Sequence, residues 1–272
     1  MKKLCVVLIM GVLILSLTAC ATKIENPVIR LSTTTSVNDS GLMAYLQPIF
    51  EKDTGYTLEI TSAGTGAAIE KGRTGDADVL LVHAKASEEE FINEGFGELR
   101  VSFMYNYFVI VGPEGDSAGV KGSATAAEAF KKIADAGATF VSRGDDSGTH
   151  KAELKIWKAL ELDPTGQPWY VSVGDSMGKT LTVGNEMQGY VFTDKATYLA
   201  HENTLSLLLE ETEDMKNTYA MIAITPQRFA DTNFAGAQAF IEWMTSEKAA
   251  DLIAKFGLEQ YGEQLFFILA TQ

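Results

Sequence analysis

Cysteine is nearly absent from this chain: two occur in 272 residues, Cys5 and Cys20, and both fall within the first twenty. A body without cysteine excludes catalytic thiols, structural disulfides and thiolate metal sites from everything downstream. Histidine is almost as scarce. His83, His150 and His201 lie far apart without metal-ligand spacing, so no bound metal is expected. Positive charge is also thin. Without Lys2 and Lys3, 20 basic residues stand against 36 acidic ones, a formal charge of −16, which argues against nucleic acid as a partner. Such a shell repels a small anion at long range, so anion capture must rest on local donors. After the N-terminal run no apolar stretch reaches membrane-spanning length, and neither a short repeat nor a low-complexity tract occurs.

The N-terminus holds a basic start, Met1-Lys2-Lys3, an apolar run from Leu4 to Leu17, and the exit Leu17-Thr18-Ala19-Cys20. That order describes a secretory signal. The exit resembles a bacterial lipobox, in which cleavage leaves Cys20 as the lipid-bearing first residue; an ordinary signal or an uncleaved anchor is the alternative. Residues 1–19 are expected to be the signal peptide and 20–27 a tether, placing the protein in the cell envelope, anchored to a membrane and facing the periplasm or the exterior. The 253 residues from Cys20 onward suffice for one large domain or two moderate ones.

The body alternates. Val28–Leu31 reads as a strand, Leu42–Phe50 as a helix, Thr57–Thr61 as a strand, Ala67–Lys71 as a helix, Asp78–Val82 as a buried strand and Ser87–Asn93 as a helix. This is an α/β layer with an expected parallel sheet. The apolar run Val101–Val111 ends at Gly112-Pro113, with Gly115, Gly119 and Gly122 beyond, a crossing into a second lobe. Helices are expected over Ala124–Ala136, from the loop after Ser142 to Leu160, and over Lys179–Met187. Strands are expected at Thr139–Ser142, Trp169–Val173, Tyr190–Thr193, Thr204–Glu210 and Tyr219–Thr225. Two helices, Phe234–Met244 and Glu247–Phe256, close the chain.

Three times a strand runs into a loop of Ser, Thr and Gly and then into a helix: Ser32–Ser36, Ser62–Gly66 and Ser142–Thr149. In a parallel sheet all three loops lie at carboxyl ends of strands, where α/β folds bind ligands. Helix starts leave backbone N–H groups unpaired and favour negative charge, and hydroxyls add donors. Gly64, Gly66 and Gly148 let the backbone approach a ligand closely. Arg143 supplies one positive fork for oxygen atoms, with a salt bridge to Asp145 or Asp146 as its other use. The combination points to an oxyanion site; Ser/Thr-rich turns that merely cap helices are the alternative.

Thr33-Thr34-Thr35-Ser36, Ala63-Gly64-Thr65-Gly66 and Ser142-Arg143-Gly144-Asp145-Asp146-Ser147-Gly148-Thr149-His150 resemble the motifs of the tungstate-binding proteins of bacterial ABC importers. So do Gly72–His83, Met104–Pro113 and Gly178-Lys179-Thr180-Leu181, and the likeness covers nearly all of the chain after the leader. Ala63, where the family often has Val, and the end after Phe267 depart from it. The resemblance implies a two-lobed periplasmic-binding-protein fold of type II, with lobe 1 from 28–108 and 219–272 and lobe 2 from 109–218. It implies tungstate, or closely similar molybdate, held in the cleft by a monomer that docks on a permease, with no cofactor and no reaction. By the same resemblance the ligands are Thr34, Thr35 and Ser36, with the Gly64, Thr65 and Gly66 loop beside them, from lobe 1, and Arg143, Ser147, Gly148 and Thr149 from lobe 2. Related phosphate binders also use an Arg…Ser-Gly-Thr loop, so a phosphate or sulfate carrier is the first alternative. Phosphate carries a proton and wants an acceptor, for which Asp39, Asp145 or Asp146 are near in sequence.

An enzyme is the second alternative. Gly174-Asp175-Ser176-Met177-Gly178 matches a nucleophile elbow after a strand, and Asp194 and His201 follow in triad order. Only 25 residues separate Ser176 from His201, less than a hydrolase needs for its intervening strands. A glycine-rich turn capping a helix accounts for the motif equally. His83 is expected to end a strand and His150 to support the Arg143 loop.

Overall fold

A computed structural model describes residues 24–269. The expected signal peptide, Cys20 and most of the tether lie outside the described residues. The first half runs β1 (Val28–Thr34), α1 (Thr35–Asp39), α2 (Leu42–Thr54), β2 (Thr57–Ala63), α3 (Thr65–Thr74), β3 (Val79–Val82), α4 (Lys85–Asn93) and β4 (Gly97–Gly112). It continues with α5 (Ala126–Ala136), β5 (Phe140–Ser142), α6 (Gly148–Ala159), β6 (Tyr170–Ser172), α7 (Met177–Met187), β7 (Tyr190–Asp194), α8 (Lys195–Ala200) and β8 (Ser206–Glu210). Then come β9 (Lys216–Ile224), α9 (Phe234–Met244), α10 (Glu247–Lys255), α11 (Leu258–Tyr261) and β10 (Phe267–Ile268).

The strand order is β2-β1-β3-β9-β4-β7-β5-β6, with β8 and β10 also on β4. The strands expected to form a parallel layer do so, and the long β4 and β9 make the sheet as a whole mixed. β1 pairs in parallel with β2 and β3, and β5 with β6 and β7, but β9 is antiparallel to β3 and β4, and β4 to β7. β8 and β9 follow one another down β4, both antiparallel to it, so the return of the chain along this one long strand is what introduces the antiparallel pairs. The crossing between lobes lies inside β4, four residues before Gly112 and next to the 108/109 boundary implied by the resemblance. Tyr107 pairs with Lys216 in the first sheet, while Phe108 pairs with Asp194 in the second. Lys216, Asn217 and Thr218, grouped by sequence with lobe 2, pair with Tyr107, Asn106 and Tyr105. One continuous ladder serves both halves because this apolar run has no break before Gly112.

Each lobe buries apolar side chains on both faces of its sheet. In the first, Ile29, Leu31 and Val79 pack against α2 and α9 on one side, while Leu80, Val82 and Ile222 meet Ala68, Ile69 and Phe91 on the other. That two-sided burial is why β3 is wholly apolar. In the second, Phe130, Phe140, Trp157 and Phe192 form one core, and Val109, Val141, Leu181 and Val191 the other. Helix starts follow the sequence: Thr125 Oγ1 accepts from Glu128 N, Ser147 Oγ from His150 N and Ser246 Oγ from Ala249 N.

One buried carboxylate fastens the first sheet to its helices. Asp78, 1% exposed, accepts from Arg30 N (2.7 Å) and Nε (3.2 Å) with one oxygen, and from Arg30 Nη2 (2.6 Å) and Asn233 N (2.9 Å) with the other. It ties β1 to the approach to β3 and to the start of α9. Asp78→Ala leaves three N–H donors of Arg30 and that of Asn233 without their acceptor, and is expected to cost about 3 kcal/mol in chemical denaturation. A loss under about 0.5 kcal/mol, the scale of an ordinary surface change, would refute this role.

Candidate functional site

The hydroxyl run after Leu31 divides into two jobs. β1 extends three residues beyond its expected end, so Ser32, Thr33 and Thr34 belong to the strand. Ser32 Oγ donates to Ala68 O (2.9 Å) and Thr33 Oγ1 to Leu81 O (2.8 Å), clipping β1 to α3 and β3. Thr34, Thr35 and Ser36 remain for the cleft, at the turn from β1 into α1.

The lobes touch through these loops. Arg143, 2% exposed, donates from Nη2 to Thr35 Oγ1 at 2.7 Å and from Nε to Asp175 O at 3.3 Å. Its Nε is also 2.9 Å from Asp145 Oδ2, so the salt bridge and the cleft contact coexist. A Cβ built on Gly64 would sit 3.9 Å from Asp145 O, and one on Gly66 3.4 Å from Asp146 Oδ2. Gly144 holds the left-handed φ of +66° that turns the Arg143 loop, in a space that a Cβ would share with Ser172 Oγ. Gly148 opens α6 directly against His83, whose Cε1 would be 2.2 Å from a Cβ there. The residues expected to bind are thereby brought together from both lobes.

Polar satisfaction marks where an outside group belongs. Thr65 Oγ1 and Thr149 Oγ1 are buried without a hydrogen-bond partner among the described residues. Each stands in the first turn of its helix, α3 or α6, and an unmet buried hydroxyl costs about 1–3 kcal/mol. Ser147 Oγ accepts from His150 N (3.3 Å), leaving its own proton to give. Thr35 likewise accepts from Arg143 and keeps a proton. The nearby carboxylates are engaged elsewhere. Asp145 faces Arg143 Nε and accepts from Ser147 N (3.1 Å), Asp146 Oδ1 takes Lys151 Nζ (2.6 Å), and Asp39 is exposed. The loop is braced as expected by His150, whose Nδ1 accepts from Asp146 N at 3.0 Å. The set is rich in donors and holds one guanidinium, which suits a small oxyanion.

Sequence reasoning gave His83 no part in the site. Its ring ends the first-sheet strand β3 and reaches Ser36 Oγ with Nε2 (3.0 Å) and Asn217 Oδ1 with Nδ1 (2.9 Å). The available signal was its place at a fourth strand end, one residue past β3. A larger cavity of about 600 Å³ lies on the first lobe, lined by Lys85, Arg100, Phe103 and Met244, and no cleft residue lines it. Donor chemistry, not volume, locates the site. The proposed triad does not assemble: Ser176 Oγ accepts from Lys179 N at the start of α7, Asp194 is buried capping α8 through Thr197, and His201 Nε2 meets Thr182 Oγ1.

Behind the Arg143 loop, Glu153 accepts from Ser142 Oγ (2.6 Å), Trp157 Nε1 (3.1 Å) and Tyr170 OH (2.7 Å). Burial pushes its carboxyl up to about 7 against the pull of these bonds. The folded protein therefore holds this proton more tightly than the unfolded chain. The resulting stability is present in full below the ordinary carboxyl range and is lost as pH rises to about 7. Denaturation midpoints should show the wild type losing stability relative to Glu153→Gln across that interval, and a difference that stays constant with pH would refute it.

Residues 21–248 match the family model described as a PBP superfamily domain. The chain is 44% identical over 269 residues, 93% of each chain, to the tungstate-binding protein TupA of Peptoclostridium acidaminophilum. Among solved structures, the tungstate-binding protein TupA of Desulfovibrio alaskensis G20 superimposes with a TM-score of 0.79 at 42% identity, over 90% of this chain and all of that one. A tungstate ABC transporter structure from Geobacter sulfurreducens gives 0.78 at 41% identity, over 84% of this chain and 98% of that one.

Proposed function

The chain belongs to the periplasmic-binding-protein superfamily, in its tungstate-binding branch, and we propose that it captures tungstate, and the closely similar molybdate, for an ABC importer. The observation that carries this reading is the buried Arg143 fork meeting Thr35 across the cleft at 2.7 Å, beside the unpartnered hydroxyls of Thr65 and Thr149. The oxyanion lies between the lobes, held by Thr34, Thr35, Ser36, Gly64, Thr65 and Gly66 from one side and Arg143, Ser147, Gly148 and Thr149 from the other. No bond is made or broken. The ligand favours the closed form because only there do both sets of donors reach it.

The anion's protonation favours tungstate over phosphate. Tungstate is fully deprotonated near neutral pH and needs donors alone. Phosphate needs an acceptor as well, and of the nearby carboxylates Asp145 already serves Arg143 and Ser147 N, while Asp146 Oδ1 serves Lys151. Processing at Cys20 would tether the protein by lipid outside the cytoplasm, where it hands its cargo to a permease as a monomer.

Calorimetric titration of the protein lacking residues 1–20 with tungstate, molybdate, sulfate and phosphate tests the reading. Tight tungstate binding with sulfate and phosphate silent is expected; phosphate alone would change the anion, and silence from all four would overturn the function. Arg143→Ala should weaken tungstate roughly 100-fold, about 3 kcal/mol, because charge-assisted contacts are lost. Unchanged affinity would remove Arg143 from the site. Gly148→Ala puts a methyl where the His83 ring lies. With saturating tungstate, small-angle scattering should then show a larger radius of gyration than the wild type's, and equal radii would contradict the contact.

A further inference from the structure

His83 stands between the cleft and a buried polar chain. On one side Nε2 is 3.0 Å from Ser36 Oγ, which is 3.1 Å from Thr34 Oγ1. On the other, Nδ1 is 2.9 Å from Asn217 Oδ1, and Asn217 Nδ2 donates to Asn106 Oδ1 and to the Tyr219 hydroxyl, each at 2.9 Å. Ser36, His83, Asn106, Asn217 and Tyr219 are all buried. The ring cannot swing away. Its centroid lies 5.0 Å from that of Tyr219 and 6.4 Å from that of Phe108, and Gly148 closes on Cε1. Burial, with the Arg143 charge adding to it and the Asn217 bond opposing it, lowers the imidazole's pKa to about 4. The ring is therefore neutral at neutral pH and has one proton for two hydrogen bonds.

Where that proton sits decides what Ser36 offers the cleft. With it on Nδ1, His83 donates to Asn217 Oδ1, and Nε2 must accept the only proton of Ser36. Ser36 then turns lone pairs toward the ligand, the wrong face for an anion that can only accept. With the proton on Nε2, His83 donates to Ser36 and the serine O–H is free for the anion. Nδ1 then accepts from Asn217, whose amide turns by half a rotation together with that of Asn106, so that the Asn217 oxygen takes the Tyr219 proton and an Asn106 N–H. An amide's oxygen and nitrogen exchange places at almost no cost in shape. The two forms of the ring differ only in which nitrogen carries its single proton, so the net charge of the site is the same in both.

We propose that His83 is the positioning residue that sets Ser36 as a hydrogen-bond donor to the oxyanion, and that anion capture selects the Nε2–H form of its ring. The inference rests on the tungstate-binding reading. It makes the cleft a donor-only site for fully deprotonated tetrahedral dianions, enforced from the hinge strands β4 and β9, which carry Asn106, Asn217 and Tyr219.

The test is nitrogen NMR of purified protein labelled with ¹⁵N at histidine, with and without tungstate, alongside calorimetry. The loaded wild type should carry its ring proton on Nε2 of His83. His83→Gln retains an amide that can donate to Ser36 and should bind tungstate within about threefold of wild type, whereas His83→Ala should lose roughly tenfold or more. Tungstate binding with the proton on Nδ1, or equal losses in the Gln and Ala variants, would overturn the inference and leave the function standing. No tungstate binding by the wild type would overturn both.

Discussion

The structure turns on a buried guanidinium that has to be paid for by both lobes. Arg143 is almost completely enclosed, and a charge taken out of water is tolerated only where partners replace its hydration. Asp145 supplies the counter-charge and the Asp175 carbonyl a second acceptor, both from Arg143's own lobe. Thr35 completes the set from the opposite lobe. The partners on its own side leave the cation short of full coordination, so something across the cleft must finish it. A hydroxyl does so modestly; a dianion would do so far better. By that difference a bound dianion would favour the arrangement in which both lobes reach it, in a protein whose overall charge repels anions.

The two crossing strands make such closure inexpensive. β4 is hydrogen-bonded to the first sheet through Tyr107 and to the second from Phe108, so the pivot is a single peptide within a ladder. β9 lies beside it and carries Asn217 and Tyr219 directly beneath the cleft. Lys195, on the second lobe's side, pairs with both Glu210 and Glu263, reaching from β8 to the C-terminal segment of the first lobe. The junction of the lobes therefore combines continuous backbone pairing with an ion-pair link between them.

Much of this was legible in the sequence, for physical reasons that differ by element. Strong periodicity placed α5 within two residues of Ala124–Ala136, and the wholly apolar β3 announced a strand buried on both faces. The three Ser/Thr/Gly loops were legible because each follows a strand and opens a helix. What failed was what local pattern does not encode. Val101–Val111 looks the same whether one sheet or two pair with it, so its pattern alone pointed to the first glycine, while the resemblance put the boundary at 108/109, beside the observed switch. The parallel pairing of β1, β2 and β3 followed from strand–helix alternation, but the antiparallel entry of β9 did not, because direction belongs to the connection and not to the strand. Ser32 and Thr33 were grouped with the loop and not with β1 because a hydroxyl that clips neighbouring backbone has the same letter as one that faces a cleft. His83 was invisible because its partners Ser36 and Asn217 are 47 and 134 residues away.

Selectivity among oxyanions is then a question of protons before it is one of size. Sulfate, molybdate and tungstate share charge and shape, so a donor-only cleft excludes hydrogen phosphate by what it lacks and leaves these three to be sorted by fit. Fit is where the cleft can act: Gly64 lies near the Asp145 carbonyl, Gly66 near the Asp146 carboxylate and Gly148 against the His83 ring, so small residues set the approach of the two lobes. That approach sets the distance between the two donor sets. An anion too small to span it must forgo bonds on one side, and in a dry cleft each forgone bond leaves a donor unpaired.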